Sequence, residues 1–597
     1  MDRVGNSRRT FMAGAAAVGG TAALGTAATA APAAATGHTT ADGTRAAQSV
    51  AVLGGGVAGL TAAHELAERG FRVTVYERRA LGGKARSMDV PGSAKGARKP
   101  LPAEHGFRFI PGIYHNLPDT MRRIPFPGNP NGVWDNLVAP PEMSFTRTGR
   151  EDLRIPLPWP GHKPADLTLD EIRRALTALL DTALGIPPLE TAYFVNRGLV
   201  FLTSCAERRD ATWEATPWWD FIGAGRMSYD YQRVLAIGLT RNIVATKAEE
   251  ASTRTVATLL EAFAFNALGR GADGPLDRIL NAPTNEAWID PWVEHLTGLG
   301  VEFRVGWTVR DVTYGSGKVT AAVIEDPQGV RRTVTADHYI SAMPVEHARR
   351  TWGAGLRAAD PQLVRCDRLE TDWMTGIQFY LTESAPLIDG HLNCIDSPWS
   401  LTAIQQAGHW PDRDFPADYG DGVAVDCVSV DISEWDRPGI LYGKTAKQCT
   451  REQVAREVWA QLKAALNDTG RVVLKDSTLH SWFLDPGVDG IGTPHPTNDD
   501  ELLIHPVGTF HNRPSAVTKI PNFFLAGDYV SVDIDLATME GANASARAAV
   551  NGLLDRVGST AARCTVKPLF RAPEVEALKR HDRTRYRLGL RNLFDLG

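Results

Sequence analysis

Three glycines with a carboxylate behind them are the first residues in this chain whose spacing has a chemical use. Gly54, Gly56 and Gly59 stand in the run Gly54-Gly55-Gly56-Val57-Ala58-Gly59. Glu77 follows about 20 residues further on, where an acid accepts hydrogen bonds from ribose hydroxyls. In such a unit one glycine makes a tight turn, one lets the backbone approach a pyrophosphate, and one allows a helix to pack close against a sheet. A second pair, Gly82-Gly83, is followed by Lys84 and Arg86. That pair lets the chain pass close over a ligand while the two cations neutralise phosphate charge; a solvated surface turn is the alternative. Near the other end, Gly527-Asp528 closes an apolar run from Phe523 to Ala526, and Met539 opens an Ala-rich stretch.

The elements that would position these residues are legible as periodicity. Gln48 to Leu53 reads as a buried strand, Leu60 to Arg69 as a helix and Arg72 to Tyr76 as a second strand, which together make one βαβ unit. Pro and Gly dominate from Pro91 to Pro160, as in long loops, and the stretch from Leu167 to Ala267 turns helical, including Leu169 to Leu184 and Ser252 to Phe265. Val301 to Val305 reads as a strand. Val309 to Val312 and Val319 to Ile324 continue as a meander that Asp337 to Ala342 closes. Trp373 to Leu381 and Val423 to Val430 alternate polar and apolar residues, the pattern of antiparallel strands with one face on a core. Arg451 to Leu466 and Met539 to Leu554 read as helices, and no internal repeat is evident.

Composition narrows the function classes. The 597 residues are 43% hydrophobic and 22% charged with a formal net charge of -5, which supports folded domains and gives no basic field for nucleic acid. The six cysteines (Cys205, Cys366, Cys394, Cys427, Cys449, Cys564) form no C-x-x-C pair and read as buried thiols. His505 and His511 lack metal-ligand spacing, and no metal is expected. In residues 1–45, Ser7-Arg8-Arg9-Thr10-Phe11-Met12 precedes a weakly apolar Ala/Gly-rich stretch with small residues near Ala28 to Ala35. This reads as a twin-arginine export signal, placing the folded product outside the cell or on its envelope.

Glycine fingerprints alone do not separate nicotinamide from flavin. The string from Val75 to Arg86, then Glu104-His105-Gly106-Phe107-Arg108-Phe109 and Pro111 to Leu117, resembles the amine oxidase and carotenoid desaturase superfamily of flavoproteins. Within it the chain is more similar to phytoene and zeta-carotene desaturases and to hydroxysqualene dehydroxylase. Arg513-Pro514, Ile520 to Tyr529 and Ala537 to Ala542 extend the likeness, as do Val301 to Arg304 and Ser341 to Pro344.

The resemblance implies FAD and an α/β architecture. A Rossmann-like FAD-binding domain would be assembled discontinuously from residues 46–130, 286–350 and 491–556. An α+β substrate domain would take a helical region (131–285) and a mixed or antiparallel sheet (351–490), with a basic tail over 557–597. It further implies that Gly106 passes near the flavin, that Val309 offers backbone groups to the adenine, that Asp528 reaches the ribityl and pyrophosphate region, and that the helix from Met539 points at the isoalloxazine. An ordinary sheet valine and a turn cap are the alternatives for Val309 and Asp528. His105 and Arg108 become catalytic candidates, with a hydrogen-bonded structural histidine as the other reading of His105. Tyr114, Trp373, Gln378, Trp482 and Phe483 are candidates for an apolar pocket or for plain core.

The leading expectation is hydride transfer from a lipophilic isoprenoid or polyene to flavin, with oxygen or a quinone as the electron acceptor. A secreted amine or amino-acid oxidase making hydrogen peroxide is the alternative, and a noncatalytic flavin or lipid carrier the third. The tail, with Lys579, Arg580, Arg583, Arg585, Arg587 and Arg591 among Leu588, Leu590, Leu593 and Phe594, would lie on an anionic membrane or dock as a terminal helix.

Overall fold

A computed structural model describes residues 47–106, 109–157 and 168–595. The twin-arginine segment and Arg108 lie outside them. Five parallel strands form the central sheet: β1 (Ser49–Leu53), β2 (Arg72–Glu77), β3 (Glu302–Val305), β4 (His338–Ser341) and β5 (Phe523–Leu525). Their order is β5-β4-β1-β2-β3, so three widely separated stretches of chain build one layer. The strands β1, β4 and β5 are almost wholly buried, although β5 is an edge of the sheet, as continuous apolar runs covered on both faces require. On one face α1 (Val57–Ala67) packs against α2 (Met539–Arg556), and their alanines and glycines let the two backbones approach. The seam is polar at one point, where the Asn543 amide donates to Thr61 Oγ1 and Thr120 Oγ1, both at 2.9 Å.

A three-stranded meander (Thr308–Gly315, Lys318–Glu325, Arg331–Val334) follows β3. It is Arg331–Val334 that closes this meander. The expected closing strand, β4, instead enters the parallel sheet beside β1, because its four residues are all buried and need cover on two faces.

The second layer is a mixed seven-stranded sheet in which Thr375–Leu381 and Asp426–Ile432 lie side by side. These two pair antiparallel, yet every residue in both is buried, so the expected single core face is corrected to two. The helix Arg451–Leu466 covers one face through Val458 and Leu462. Tyr380 and Cys427 on the other meet Leu101 and Phe415. Among the polar members of the alternation, Gln378 Nε2 donates to Ser429 Oγ at 3.0 Å and to the Glu104 carbonyl at 3.2 Å. Glu142–Thr146 and Leu153–Pro156, in the Pro/Gly-rich run read as long loops and inside the expected helical region 131–285, supply two further strands to this sheet.

The tail folds back. In the helix Glu576–Arg587, buried Asp582 accepts from the Arg208 guanidinium at 3.0 Å and from the Cys205 N–H at 2.9 Å. The outer side leaves Leu588 68% exposed, with Leu590 and Leu593 about half exposed among arginines. No helix among the described residues is long and apolar enough to cross a membrane.

Candidate active site

The carboxyl ends of β1, β2, β4 and β5 open on a cavity of about 550 Å³. Gly54 and Gly56 line it just past β1, Glu77 ends β2 against it, Ala342 and Met343 follow β4, and Gly527 and Asp528 follow β5. This is the crevice where open parallel sheets bind ligands.

Local constraints explain the glycines. Gly54 has φ +114°, and a Cβ there would stand 2.7 Å from the Ala342 carbonyl oxygen. A Cβ at Gly59 would run into the Gly54 carbonyl, so Gly59 sets helix-to-sheet packing and is not part of the cavity wall. Gly83 has φ +57° and sits so close to Gly56 that a Cβ would come within 2.9 Å of its Cα. At Gly106 a Cβ would meet nothing nearer than 4.0 Å among the described residues beyond its chain neighbours. The first turn of α1 has no side-chain cap, so its leading N–H groups remain available for an anion. Glu77 accepts the Gly55 N–H at 2.8 Å and the Arg79 N–H at 2.9 Å, which fixes its carboxylate at the rim.

The charges are paired in advance. Lys84 donates to Glu346 at 2.9 Å and also to the Glu501 carbonyl. Burial alone would lower the Lys84 ammonium, but Glu346 and Asp528 hold it raised. Desolvation raises the Asp528 carboxyl in spite of Lys84 beside it. Arg86 reaches Asp500 at 3.3 Å and the Gly83 carbonyl at 2.7 Å. Burial opposes ionisation of Asp500 as well, yet the positive charges around it, that of His105 when protonated and those of Arg86, Arg78 and Lys84, hold its carboxyl far below the usual range.

At the opposite end the lining turns apolar. Phe109, Pro111 and Tyr114 come from one segment, Leu259 and Phe263 from the helix Thr253–Ala267, and Leu536 from the approach to α2. Phe109 and Phe263 lie with ring centroids 5.8 Å apart. Thr538 caps α2 by accepting the Gly541 N–H at 2.9 Å, and Met539 borders the cavity at the positive end of that helix. Just upstream, His505 accepts the Ala537 N–H at 2.9 Å; burial, with Arg513 nearby, pushes its imidazole down to about 3 and keeps it a neutral acceptor.

Over residues 57–554 the chain matches the family described as flavin containing amine oxidoreductase. It belongs to that family. This member is therefore a flavin-dependent oxidoreductase, and the cradle fits the group: open glycines, an uncapped helix start, an anchored acid and a helix end aimed at the far wall. It is 26% identical over 543 residues to a zeta-carotene desaturase of Synechocystis, covering 85% of this chain and 97% of that enzyme. A carotenoid phi-ring synthase of Streptomyces griseus is 26% identical, covering 86% and 89% respectively. In fold it is similar to putrescine oxidase with putrescine bound (TM-score 0.55, 12% identity, 86% of this chain, 99% of that one). Cyclohexylamine oxidase from Brevibacterium oxydans gives a TM-score of 0.54 at 13% identity over 85% and 99%.

Of the residues singled out from sequence, Gly54, Gly56, Glu77, Gly83, Lys84, Arg86, His105, Gly106, Tyr114, Val309, Gly527, Asp528 and Met539 all border this flavoenzyme's cavity. Trp373, Gln378, Trp482 and Phe483 do not. Trp373 packs on Trp435, Gln378 is bonded between strands, and the other two lean on satellite cores. Sequence reasoning passed over Ile243, Leu259, Phe263 and Met374 in the wall, and over Glu346 and Asp500, which compensate Lys84 and Arg86. The helical period of Ser252 to Phe265 pointed to Leu259 and Phe263, since those positions share one helix face. Glu346 and Asp500 carry no local signal.

His64, Glu68 and His295 bring ligand atoms within 4.8 Å of one another. Trp292 donates to His64 Nδ1 at 3.1 Å, which leaves Nε2 protonated to donate to Glu68 at 3.1 Å. That imidazole has no lone pair left for an ion.

Proposed function

We propose that the chain is an FAD-dependent desaturase or dehydrogenase of an isoprenoid or polyene. The observation that carries this reading is the asymmetry of the cavity: glycines and paired charges at one end, apolar side chains at the other. Lys84 is the only lysine among the described residues of the wall, and it is engaged by Glu346, so no lysine stands free in the apolar part. The relatives whose names specify carotenoids support the substrate class.

Gly54, Gly56 and the start of α1 would hold the pyrophosphate, Glu77 the ribose, Val309 the adenine side, and Gly106, Asp528 and Met539 the ribityl and ring region. When bound, FAD supplies two-electron acceptance. The chain's own part is to seat a long apolar substrate, exclude water and orient one carbon–carbon bond.

The Ser7 to Met12 motif supports export by the twin-arginine route, with oxygen or a quinone as acceptor. The arginines and exposed leucines of the tail support peripheral contact with an anionic membrane, from which such a substrate would enter. Anaerobic mixing of the purified holoprotein with zeta-carotene, phytoene and a panel of primary amines tests the function. Bleaching of the flavin band by a polyene is expected. Bleaching by an amine alone, with peroxide on admitting air, would replace this reading by that of an amine oxidase.

A further inference from the structure

His105 is 5% exposed and borders the cavity directly after the strand Pro102–Glu104. Its backbone is fixed by the mixed sheet. The Gly376 N–H donates to the His105 carbonyl at 3.1 Å, and a Cβ on Gly376 would stand 2.8 Å from that oxygen. Its side chain is fixed by a carboxylate. Nδ1 lies 2.5 Å from Oδ2 of fully buried Asp485, whose Oδ1 accepts the Gly487 N–H at 2.6 Å. Burial raises the Asp485 carboxyl, but the His105 hydrogen bond, the Gly487 N–H and Arg86 more than offset it, so Asp485 is held ionised. An ionised acceptor takes the proton on Nδ1 and leaves Nε2 as the lone-pair nitrogen. Nε2 has no hydrogen-bond partner among the described residues.

A second pair shows what a purely structural version looks like. His391 Nδ1 lies 2.6 Å from Asp277, both groups are buried, and neither borders the cavity.

We infer that His105 is the catalytic base of this enzyme and Asp485 its positioning residue. The inference rests on the desaturase reading of the cavity. One substrate carbon gives up a hydride, with both bonding electrons, to the flavin as two-electron oxidant. The C–H bond on the neighbouring carbon breaks, its electron pair becomes the new C=C bond, and its proton passes to His105 Nε2. The substrate would lose two electrons and two hydrogens, bound FAD would supply the two-electron acceptance for the hydride, and the imidazolium beside Asp485 would return its proton to solvent. Among the described residues, the charged groups set against His105 are Asp485 at Nδ1 and Asp500, to which Arg86 is bonded, while Asp431 lies 4.0 Å from where a Cβ at Gly106 would stand.

The test uses the full-length holoprotein, His105→Gln and Asp485→Asn, with zeta-carotene in detergent as the probe. Nitrogen-15 histidine spectra of the oxidised wild type are expected to show a proton on Nδ1 and a bare Nε2. His105→Gln should keep its flavin absorbance and fold, slow flavin reduction by roughly 10²–10⁴-fold, and lose the acid limb of the pH–rate profile. Asp485→Asn should keep a shifted limb at a reduced rate. A proton on Nε2, or His105→Gln reducing its flavin within about threefold of wild type or with the limb intact, overturns the inference while the desaturase reading stands. Wild-type flavin that no polyene reduces overturns that reading and the base with it. Should His105→Gln not fold, the spectra and the Asp485→Asn limb decide.

Discussion

The two ends of the cavity are made of different materials. At the nucleotide end the wall is backbone and paired charge: Gly54, Gly56 and Gly83 bring main chain to the surface, while Lys84 is tied to Glu346 and Arg86 to Asp500. At the far end Leu259, Phe263, Phe109 and Leu536 offer shape and apolar area, without a fixed hydrogen-bond pattern. A cofactor held for many turnovers meets the first kind of wall, in which a substituent of one carbon is too much. A substrate that must enter and leave meets the second, in which volume is negotiable.

That contrast breaks most severely at Gly54. Valine there would need φ +114° and would place Cβ 2.7 Å from the Ala342 oxygen, so both strain and clash oppose it. Gly54→Val is expected to yield protein with less than about a tenth of the wild-type ratio of flavin to protein absorbance, since a penalty above ~1.4 kcal/mol costs tenfold in binding. Leu259→Ala at the opposite end is expected to keep the ratio. A yellow Gly54→Val protein, or a colourless Leu259→Ala one, would erase the distinction between the two walls.

The next effect concerns the pairing of charge. Glu346 is 5% exposed at its side chain, and Lys84 pairs with it at 2.9 Å. Lys84→Met strands that carboxylate, a change that costs about 3–5 kcal/mol at buried pairs, here at the lower end because the lysine is 23% exposed. Adding Glu346→Gln should recover most of the loss. Urea unfolding of the two single variants and the double variant measures the coupling, and additive losses would show that the pair is incidental.

Sequence made the nucleotide end readable because its residues act through local rules: a glycine turn between strand and helix, and an acid at a strand end. The parallel sheet was legible only in part. β4 was assigned to the meander because four apolar residues look alike in either sheet, and only its partners β1 and β5, hundreds of residues away, separate the cases. The same reason hid Glu346, Asp500 and Asp485, each of which meets its partner across more than 250 residues. At the far end, Trp373 and Trp482 looked like pocket residues because aromatic side chains in strands serve core and pocket equally. His105 was legible as a residue near the ligand. Its carboxylate partner Asp485, 380 residues further along the chain, was not.

The smallest effect bears on both ends at once. His347 borders the nucleotide end, where burial, with Arg78 and Lys84 beside it, pushes its imidazole down to about 3. His505 stands behind Ala537 near the start of α2 and is likewise pushed to about 3. Each folded-state value lies below the unfolded value of about 6.5. Each therefore contributes stability that is present above pH ~6.5 and lost as pH falls from there toward 3, because the unfolded chain takes up the proton first. Between pH 7.5 and 5.5 the loss is expected to be about 1 kcal/mol per histidine, measured as a lower denaturant midpoint. His505→Asn should flatten the slope by about one proton's worth while costing stability at pH 7.5, where the Ala537 N–H loses its acceptor. An unchanged slope in that variant would mean that His505 does not stay neutral in the fold, and that the start of α2 is held at the far wall by something other than this hydrogen bond.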